Sequence, residues 1–380
     1  MSWSLKILTI RGIPIRIHAS FLLVLVLAAI SGLTGSGGDW LRSSAFMVIL
    51  VFLLFVCVAL HELGHSLMAQ RYGVQVQDIT LWPIGGVARI SRLPSKPYQE
   101  FLITAAGPAT NLALAVLLGA LAVTWIGPDA MLRLLASPRL LNRFLASQEI
   151  RTLVSLLAIN NLVLALFNLI PAFPMDGGRL LRSLLAVFLP FRRATQFAAL
   201  LGQALAVLMA VAGLRTGNFL LGLVGVFVFI AAWQERRQTL MVESLKGVSV
   251  RQALRPIGMR LTPELSLGQA AAQAAAAPQT AYLVVEGSRL TGVLLRDDLL
   301  SAVQKAGPAA PVTPYIRRST VQLRAEEPLD QALERIVRGQ AGFALVVEDR
   351  QVIGTINQGD LLRLAEVLRA HPGALREVGW

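Results

Sequence analysis

Charged residues are scarce in this chain and unevenly distributed. Only 15% of its 380 residues are Asp, Glu, Lys or Arg, while 55% are hydrophobic; soluble domains average about 25% charged residues. Residues 1–240 contain 8 acidic and 19 basic side chains, and residues 241–380 contain 14 and 16. This shortage excludes a wholly soluble protein and predicts a membrane region followed by a soluble one. The basic excess in the membrane region favours anionic lipid headgroups as its partner, and not nucleic acid.

Cysteine is nearly absent as well. Cys57 is the only cysteine, so no intrachain disulfide can form. It stands inside an apolar run, where a thiol behaves as a small hydrophobic side chain. We therefore expect Cys57 to be buried and chemically inert.

Long apolar segments fill the first 240 residues. They predict an α-helical polytopic membrane protein with about six transmembrane helices, provided that residues 13–17 lengthen the short first segment. The first segment lacks a small-x-small cleavage site, which indicates a retained anchor. Alternating apolar residues over 74–90 predict a short membrane-associated β-hairpin, and residues 127–149 suggest an interfacial amphipathic helix. The predicted spans are residues 13–33, 45–70, 98–126, 151–170, 194–214 and 218–233.

The positions of Lys and Arg predict how these helices are oriented. Six spans put both ends of the chain on one side of the membrane, and that side carries the Arg192-Arg193 and Arg236-Arg237 pairs. Short cytoplasmic loops are enriched in such residues. We therefore expect cytoplasmic termini in the cell membrane. The arginines of residues 127–151, on the opposite side, are an exception to this pattern.

The last third of the chain contains an internal repeat. Residues 281–300 align without gaps to residues 343–362 at an offset of 62, and the alignment pairs Asp298 with Asp360. Each unit follows the pattern helix, strand, turn, strand, helix. Two such units usually bury a shared face, so the repeat predicts a soluble α/β module. The predicted domain boundaries are 1–240, 248–306 and 310–370.

The end of the second predicted span carries the pentapeptide His61-Glu62-Leu63-Gly64-His65. Positions i and i+4 share a face of a helix, so His61 and His65 can present two imidazole nitrogens to one metal ion. Glu62 is close enough to take a proton from a water there. Polar groups beside an apolar run of this length are expensive and usually functional. The pattern predicts a catalytic zinc site.

A catalytic zinc ion normally has a third protein ligand. Most of the eight acids in the first 240 residues lie in loops or at the ends of spans, and Glu62 is needed as the base. Asp176 remains, between a proline-broken span and another apolar stretch, where an unpaired carboxylate is costly. The alternative role for Asp176 is to cap the helix that starts near Gly177. His18 and His371 are weaker ligand candidates.

Three motifs together resemble the site-2 protease family of intramembrane zinc metalloproteases. They are HELGH at residues 61–65, GPATN at residues 107–111 and NLIPAFPMDGG at residues 168–178. The resemblance covers residues 1–240, and Met175 stands where the family usually has leucine. It implies that His61, His65 and Asp176 bind zinc and that Glu62 is the catalytic acid/base.

The same resemblance implies how a substrate is held. Residues 74–90 would position the substrate as an added strand, and Asn168 and Asn111 would contact it. The implied reaction is hydrolysis of a peptide bond in or next to a transmembrane helix of a membrane-anchored protein.

The tail resembles a pair of CBS modules. Such pairs often bind adenine nucleotides, and the family's ribose-contacting aspartate corresponds to Asp298 and Asp360. The hydroxyl residue that is common three positions earlier is replaced by Leu295 and Asn357. The tail can therefore serve as a nucleotide sensor, as a purely structural module, as a docking site for a regulatory protein, or as the contact of a homodimer.

Two other classes of function fit part of the pattern. A CBS-regulated metal transporter or sensor would explain the tail and the intramembrane polar groups, but not why a glutamate follows the first histidine. A catalytically silent scaffold would require HELGH to be a relic.

Overall fold

The computed structural model of the chain describes residues 3–34, 39–83, 85–90, 96–277, 279–287, 289–318, 321–338, 342–349 and 351–371. It divides into two compact units, Met1–Arg236 and Arg237–Trp380. The predicted domain boundaries stay predictions.

Helices dominate the first unit, and five of them are long and apolar enough to cross a membrane: α2, α3, α6, α8 and α9. Glycine and proline mark several of their ends. Pro97 begins α3, and Gly127 ends it at a φ of 88°. The helices are α1 (Phe21–Thr34), α2 (Trp40–Arg71), α3 (Pro97–Ile126), α4 (Pro128–Ala136), α5 (Pro138–Leu145), α6 (Ile150–Asn168), α7 (Asp176–Leu185), α8 (Phe191–Thr216) and α9 (Phe219–Ser244).

The predicted hairpin belongs to a four-stranded sheet. Its strands β3 (Val76–Trp82) and β4 (Gly85–Ile90) are antiparallel, which confirms the hairpin. Two strands from the start of the chain, β1 (Ser4–Ile10) and β2 (Ile13–His18), extend it in the order β1-β2-β3-β4. These two strands were not predicted from the sequence.

The first predicted span was wrong in one respect, because residues 13–17 are not helical. They alternate Ile13, Ile15 and Ile17 with other residues, and Ile13 and Ile15 pack against Leu63 of α2. A period of two is the pattern of a strand. The apolar helix that follows has only 14 residues. It packs closely on α2, since a Cβ on Gly32 would lie 2.4 Å from Ser44 Cα.

The second unit has the predicted repeat. Strands β7 (Ala281–Glu286) and β8 (Arg289–Leu295) are followed by α11 (Arg296–Ala306). The matching strands β10 (Phe343–Glu348) and β11 (Gln351–Asn357) are followed by α13 (Gln358–Ala370), so all these elements begin 62 residues apart. The other strands and α-helices are β5 (Arg255–Pro256), β6 (Arg260–Leu261), α10 (Leu267–Ala276), β9 (Val321–Arg324) and α12 (Leu329–Arg338).

The two repeats exchange backbone partners. Arg255 of β5 pairs with Thr355 of β11 in the other repeat, and Arg317 forms a bridge with Val293 of β8. Both repeats also supply buried residues to one apolar cluster, among them Leu283 and Leu345. The predicted shared face is confirmed.

Candidate metal centre

The two motif histidines converge with Asp176. His61 Nε2 and His65 Nε2 lie 3.1 Å apart, as expected for one turn of α2. Asp176 Oδ2 lies 3.2 Å from His61 Nε2 and 3.1 Å from His65 Nε2. Both histidines are buried. Ligand atoms at zinc-binding distance in a tetrahedron lie about 3.3 Å from one another, so this donor set fits a zinc ion.

The His65 ring is held in the orientation that a zinc ligand needs. Its Nδ1 lies 2.8 Å from the carbonyl oxygen of Ile103 on α3, so Nδ1–H can donate there and leave the Nε2 lone pair free. The ring of His61 is nearly perpendicular to that of His65, at 86°. Its Nδ1 is buried and has no hydrogen-bond partner among the described residues.

Glycine lets α3 pass directly behind the two rings. A Cβ on Gly107 would lie 2.2 Å from His65 Nε2 and 2.8 Å from His61 Nε2. Such distances are impossible for a real side chain, so any larger residue would fill the space in which the ligand atoms meet. Gly107 therefore shapes the metal centre.

Asp176 enters the centre at the first residue of α7, where Met175 occupies the capping position. Close backbone packing determines where this helix begins. A Cβ on Gly177 would lie 2.1 Å from the Ile170 carbonyl oxygen, and one on Gly178 would lie 2.5 Å from Phe173 N. The two glycines thus allow α7 to turn tightly against the end of α6 and bring Asp176 to the histidines.

Glu62 lies outside the three-ligand cluster, beneath β4. A Cβ on Gly86 of β4 would lie 2.7 Å from Glu62 Cγ, and the backbone of Ala88 interacts with the Glu62 carboxylate. The Glu62 carboxylate is therefore covered by β4, and Glu62 is the chain neighbour of His61, one of the candidate ligands.

An ion pair between strands sets the position of β4. Arg89 Nε donates to Asp78 Oδ1 at 2.6 Å, and Asp78 is buried. This hydrogen bond raises the pKa of the Arg89 guanidinium above its ordinary value. Arg16 of β2 lies 3.5 Å from the second oxygen of Asp78. The pair links β3 to β4, the strand that covers Glu62. Arg89 is the chain neighbour of Ala88, whose backbone interacts with the Glu62 carboxylate.

The structure leaves the two predicted substrate contacts, Asn111 and Asn168, as predictions. Asn168 is the last residue of α6 and is half-buried. Asn111 is fully buried, and neither amide atom has a hydrogen-bond partner among the described residues. The remaining histidine of this unit, His18, stacks on Trp82 at 4.0 Å and is not part of the metal cluster.

Both aspartates predicted to contact a nucleotide are paired with arginines. Arg317 Nε donates to Asp298 Oδ2 at 2.8 Å, and Arg255 Nη2 donates to Asp360 Oδ1 at 2.8 Å. Each arginine comes from the repeat opposite to its aspartate. The two arginines are themselves 62 residues apart, which is the offset of the repeat, so this pattern in the sequence could have indicated both pairs.

Two family models match the chain. The model described as peptidase family M50 matches residues 49–209, and the CBS domain model matches residues 312–366, which lie in the second repeat.

Curated relatives match along nearly the whole chain. A zinc metalloprotease of Methanocaldococcus jannaschii, MJ0392, is 32% identical over 374 residues, which is 97% of this chain and 98% of the relative. The putative zinc metalloprotease Rip3 of Mycobacterium tuberculosis is 31% identical, over 95% of this chain and 92% of the relative.

The solved structure of a site-2 protease from Methanocaldococcus jannaschii is 36% identical to the matched part of this chain. The match covers 62% of this chain and 95% of that one, with a TM-score of 0.43.

Relatives that match nearly the whole chain are named zinc metalloproteases, which favours the protease over the transporter and the scaffold. The chain belongs to peptidase family M50, the site-2 protease family, and is an intramembrane zinc metalloprotease with a CBS regulatory module.

Proposed function

We propose that His61, His65 and Asp176 are the protein ligands of the zinc ion and that Glu62 is the catalytic acid/base. The convergence of Asp176 Oδ2 with both Nε2 atoms supports this proposal. The three residues come from α2 and α7, which are separated by more than 100 positions in the chain, and the described residues offer no other such cluster of metal-ligating side chains.

The chemistry divides between the ion and the protein. If His61, His65 and Asp176 hold a zinc ion, the ion would lower the pKa of a water and polarise the scissile carbonyl. Glu62 accepts a proton from the attacking water and then delivers it to the leaving amine. Its position under β4, outside the ligand cluster, suits this role because the carboxylate does not occupy a coordination position.

The edge of the sheet is the place where a substrate would be held. A transmembrane helix satisfies its own carbonyl groups, so it must unwind locally before a peptide bond can be attacked. Strand β4 has β3 as its only neighbour among the described strands. A substrate strand added there would recover main-chain hydrogen bonds, with its backbone next to Glu62. Asn168 and Asn111 are proposed as further substrate contacts.

We also propose the orientation with both termini in the cytoplasm. It requires the region of α1 to cross the membrane together with the five long helices. The 14 residues of α1 reach about 21 Å, less than the roughly 30 Å of the hydrocarbon core, so β2 would complete that crossing. Reporter fusions at both ends test this orientation.

The partners of the second unit remain proposals as well. An adenine nucleotide between the repeats would have to displace Arg317 from Asp298 and Arg255 from Asp360, if the aspartates contact its ribose. A regulatory protein or a second copy of the chain could instead bind this unit.

A comparison of membrane proteomes tests the proposed reaction. Cells that express the wild type are compared with cells that express Glu62→Gln. Full-length transmembrane substrates should accumulate in the variant, and their fragments should appear only with the wild type. Equal fragment levels in both, at equal expression, would overturn the role of Glu62.

A further inference from the structure

A cavity of about 210 Å³ lies between α2 and α6. Its wall is mainly apolar, with Leu54, Cys57 and Val58 on α2 and Leu164 and Phe167 on α6. For comparison, an engineered apolar cavity of about 150 Å³ binds benzene. The space can therefore hold one large aliphatic or aromatic side chain.

The cavity lies one turn of α2 away from the proposed catalytic groups. Cys57 and Val58 precede His61 and Glu62 by four residues each, so they lie on the same face of α2, one turn away. Strand β4 also lies close to both Val58, which lines the cavity, and Glu62. A Cβ on Gly86 would lie 3.1 Å from Val58 Cγ1 and 2.7 Å from Glu62 Cγ. The strand therefore passes over both the cavity wall and the catalytic carboxylate.

Asn161 gives this wall a buried hydrogen-bond acceptor. Its side chain is 1% exposed, and its Nδ2 donates to the Leu157 carbonyl oxygen at 2.8 Å. Its Oδ1 has no partner among the described residues. Burying an acceptor without a donor is unfavourable. A backbone N–H group of a locally unwound substrate could supply the missing donor only after the wall opens, since this oxygen has almost no exposed surface.

We propose that this cavity is a specificity subsite, which receives an apolar side chain of the substrate's transmembrane segment next to the scissile bond. The inference rests on the proposed function and adds to it a preference for large aliphatic or aromatic residues at one substrate position. A strand added to β4 would place its backbone near Glu62 and direct alternate side chains towards α2, which forms one wall of the cavity.

The single cysteine of the chain allows a direct test. Full-length Glu62→Gln protein is mixed with substrates that each carry one cysteine at successive positions around the cleavage site, and copper phenanthroline is added to oxidise thiol pairs to disulfides. A disulfide with Cys57 should form predominantly at one substrate position. The matched control is Cys57→Ala with Leu166→Cys, since Leu166 is 57% exposed on α6 and does not line the cavity.

Selectivity provides the second test. Leu164→Trp should fill the cavity and lower kcat/KM for a substrate with leucine or phenylalanine at the crosslinked position by about tenfold relative to one with alanine. Leu166→Trp, the same change outside the cavity, should leave this ratio unchanged. Zinc content verifies that each variant is folded.

The outcomes separate this inference from the proposed function. Disulfides spread evenly over all substrate positions, or an unchanged selectivity in a zinc-loaded Leu164→Trp protein, would overturn the subsite while Glu62→Gln remained inactive. Retained cleavage by Glu62→Gln would overturn the proposed role of Glu62. The crosslinking result would still show whether a substrate side chain enters the cavity.

Discussion

Glu100 of α3 and Arg182 of α7 form an ion pair that is closed off from solvent. Arg182 Nε donates to Glu100 Oε1 at 2.9 Å, and Arg182 is 0% exposed. The guanidinium also lies 5.2 Å from the ring centroids of Phe173 and Phe191, within the range of cation–π attraction. Buried charges are tolerated only when they are paired in this way.

This pair joins the two helices that support the metal centre. Glu100 precedes Ile103, whose carbonyl oxygen holds His65, by about one turn of α3. Arg182 lies on α7, the helix that begins with Asp176. The ion pair therefore fixes the helix that orients one proposed ligand relative to the helix that carries another.

Removing one partner of this pair should damage both stability and metal binding. We expect Arg182→Met to lower the free energy of unfolding by about 3–5 kcal/mol, because Glu100 is left buried and unpaired. Zinc affinity should fall as well, since α7 loses its link to α3. The measurements are denaturant unfolding in detergent and competition with a zinc chelator.

Two control variants complete this experiment. Arg237→Met removes a half-exposed pair with Glu366, which should cost about 0–1 kcal/mol. The double variant Glu100→Leu with Arg182→Met should be more stable than Arg182→Met, because no unpaired charge remains. An Arg182→Met protein with wild-type stability and zinc affinity would contradict this role of the pair.

Gly107→Ala should abolish zinc binding. The added Cβ would lie 2.2 Å from His65 Nε2, so α3 or the His65 ring must move. Gly119→Ala on the same helix is the matched control, because its Cβ would have nothing within 4 Å. That control should be more stable by about 0.5–1 kcal/mol. The zinc content of both purified proteins is the measurement. Stoichiometric zinc in Gly107→Ala would show that the close approach of α3 to the His65 ring is not required for zinc binding.

Gly86→Ala should reduce kcat without removing zinc. Its Cβ would lie 2.7 Å from Glu62 Cγ, so the carboxylate must shift, while the three ligands are untouched. General acid/base catalysis typically contributes about 10²–10⁴-fold, which bounds the expected loss. Val87→Ala is the control, since Val87 is 50% exposed. If Gly86→Ala keeps the wild-type kcat, β4 does not position Glu62.

Helices, the metal-binding face of α2 and the repeat could be predicted from the spacing of residues along the chain. The period of a helix placed His61 and His65 on one face, and a constant offset of 62 revealed the repeat. Strand β2 was missed because Ile13, Ile15 and Ile17 stand directly before an apolar run and were added to it, although their alternation is the signal of a strand.

Contacts between distant residues could not be predicted in this way. Glu100 and Arg182 are 82 positions apart, and nothing in the spacing of either residue indicates the other. Asp176 was found because few acids were available in the membrane region and because residues 168–178 resemble a family motif, not from its spacing to the histidines. The pairing of Arg255 with Asp360 was missed because it crosses between the repeats, whereas the repeat pattern aligns each residue with its own counterpart.

The zinc content of purified Asp176→Ala, compared with that of Glu62→Gln, tests the central claim most directly. If Asp176 completes the site formed by His61 and His65, Asp176→Ala should lose stoichiometric zinc, as His65→Ala should. Glu62→Gln should keep it and still fail to cleave a co-expressed single-span protein. Stoichiometric zinc of unchanged affinity in Asp176→Ala would contradict the three-ligand centre.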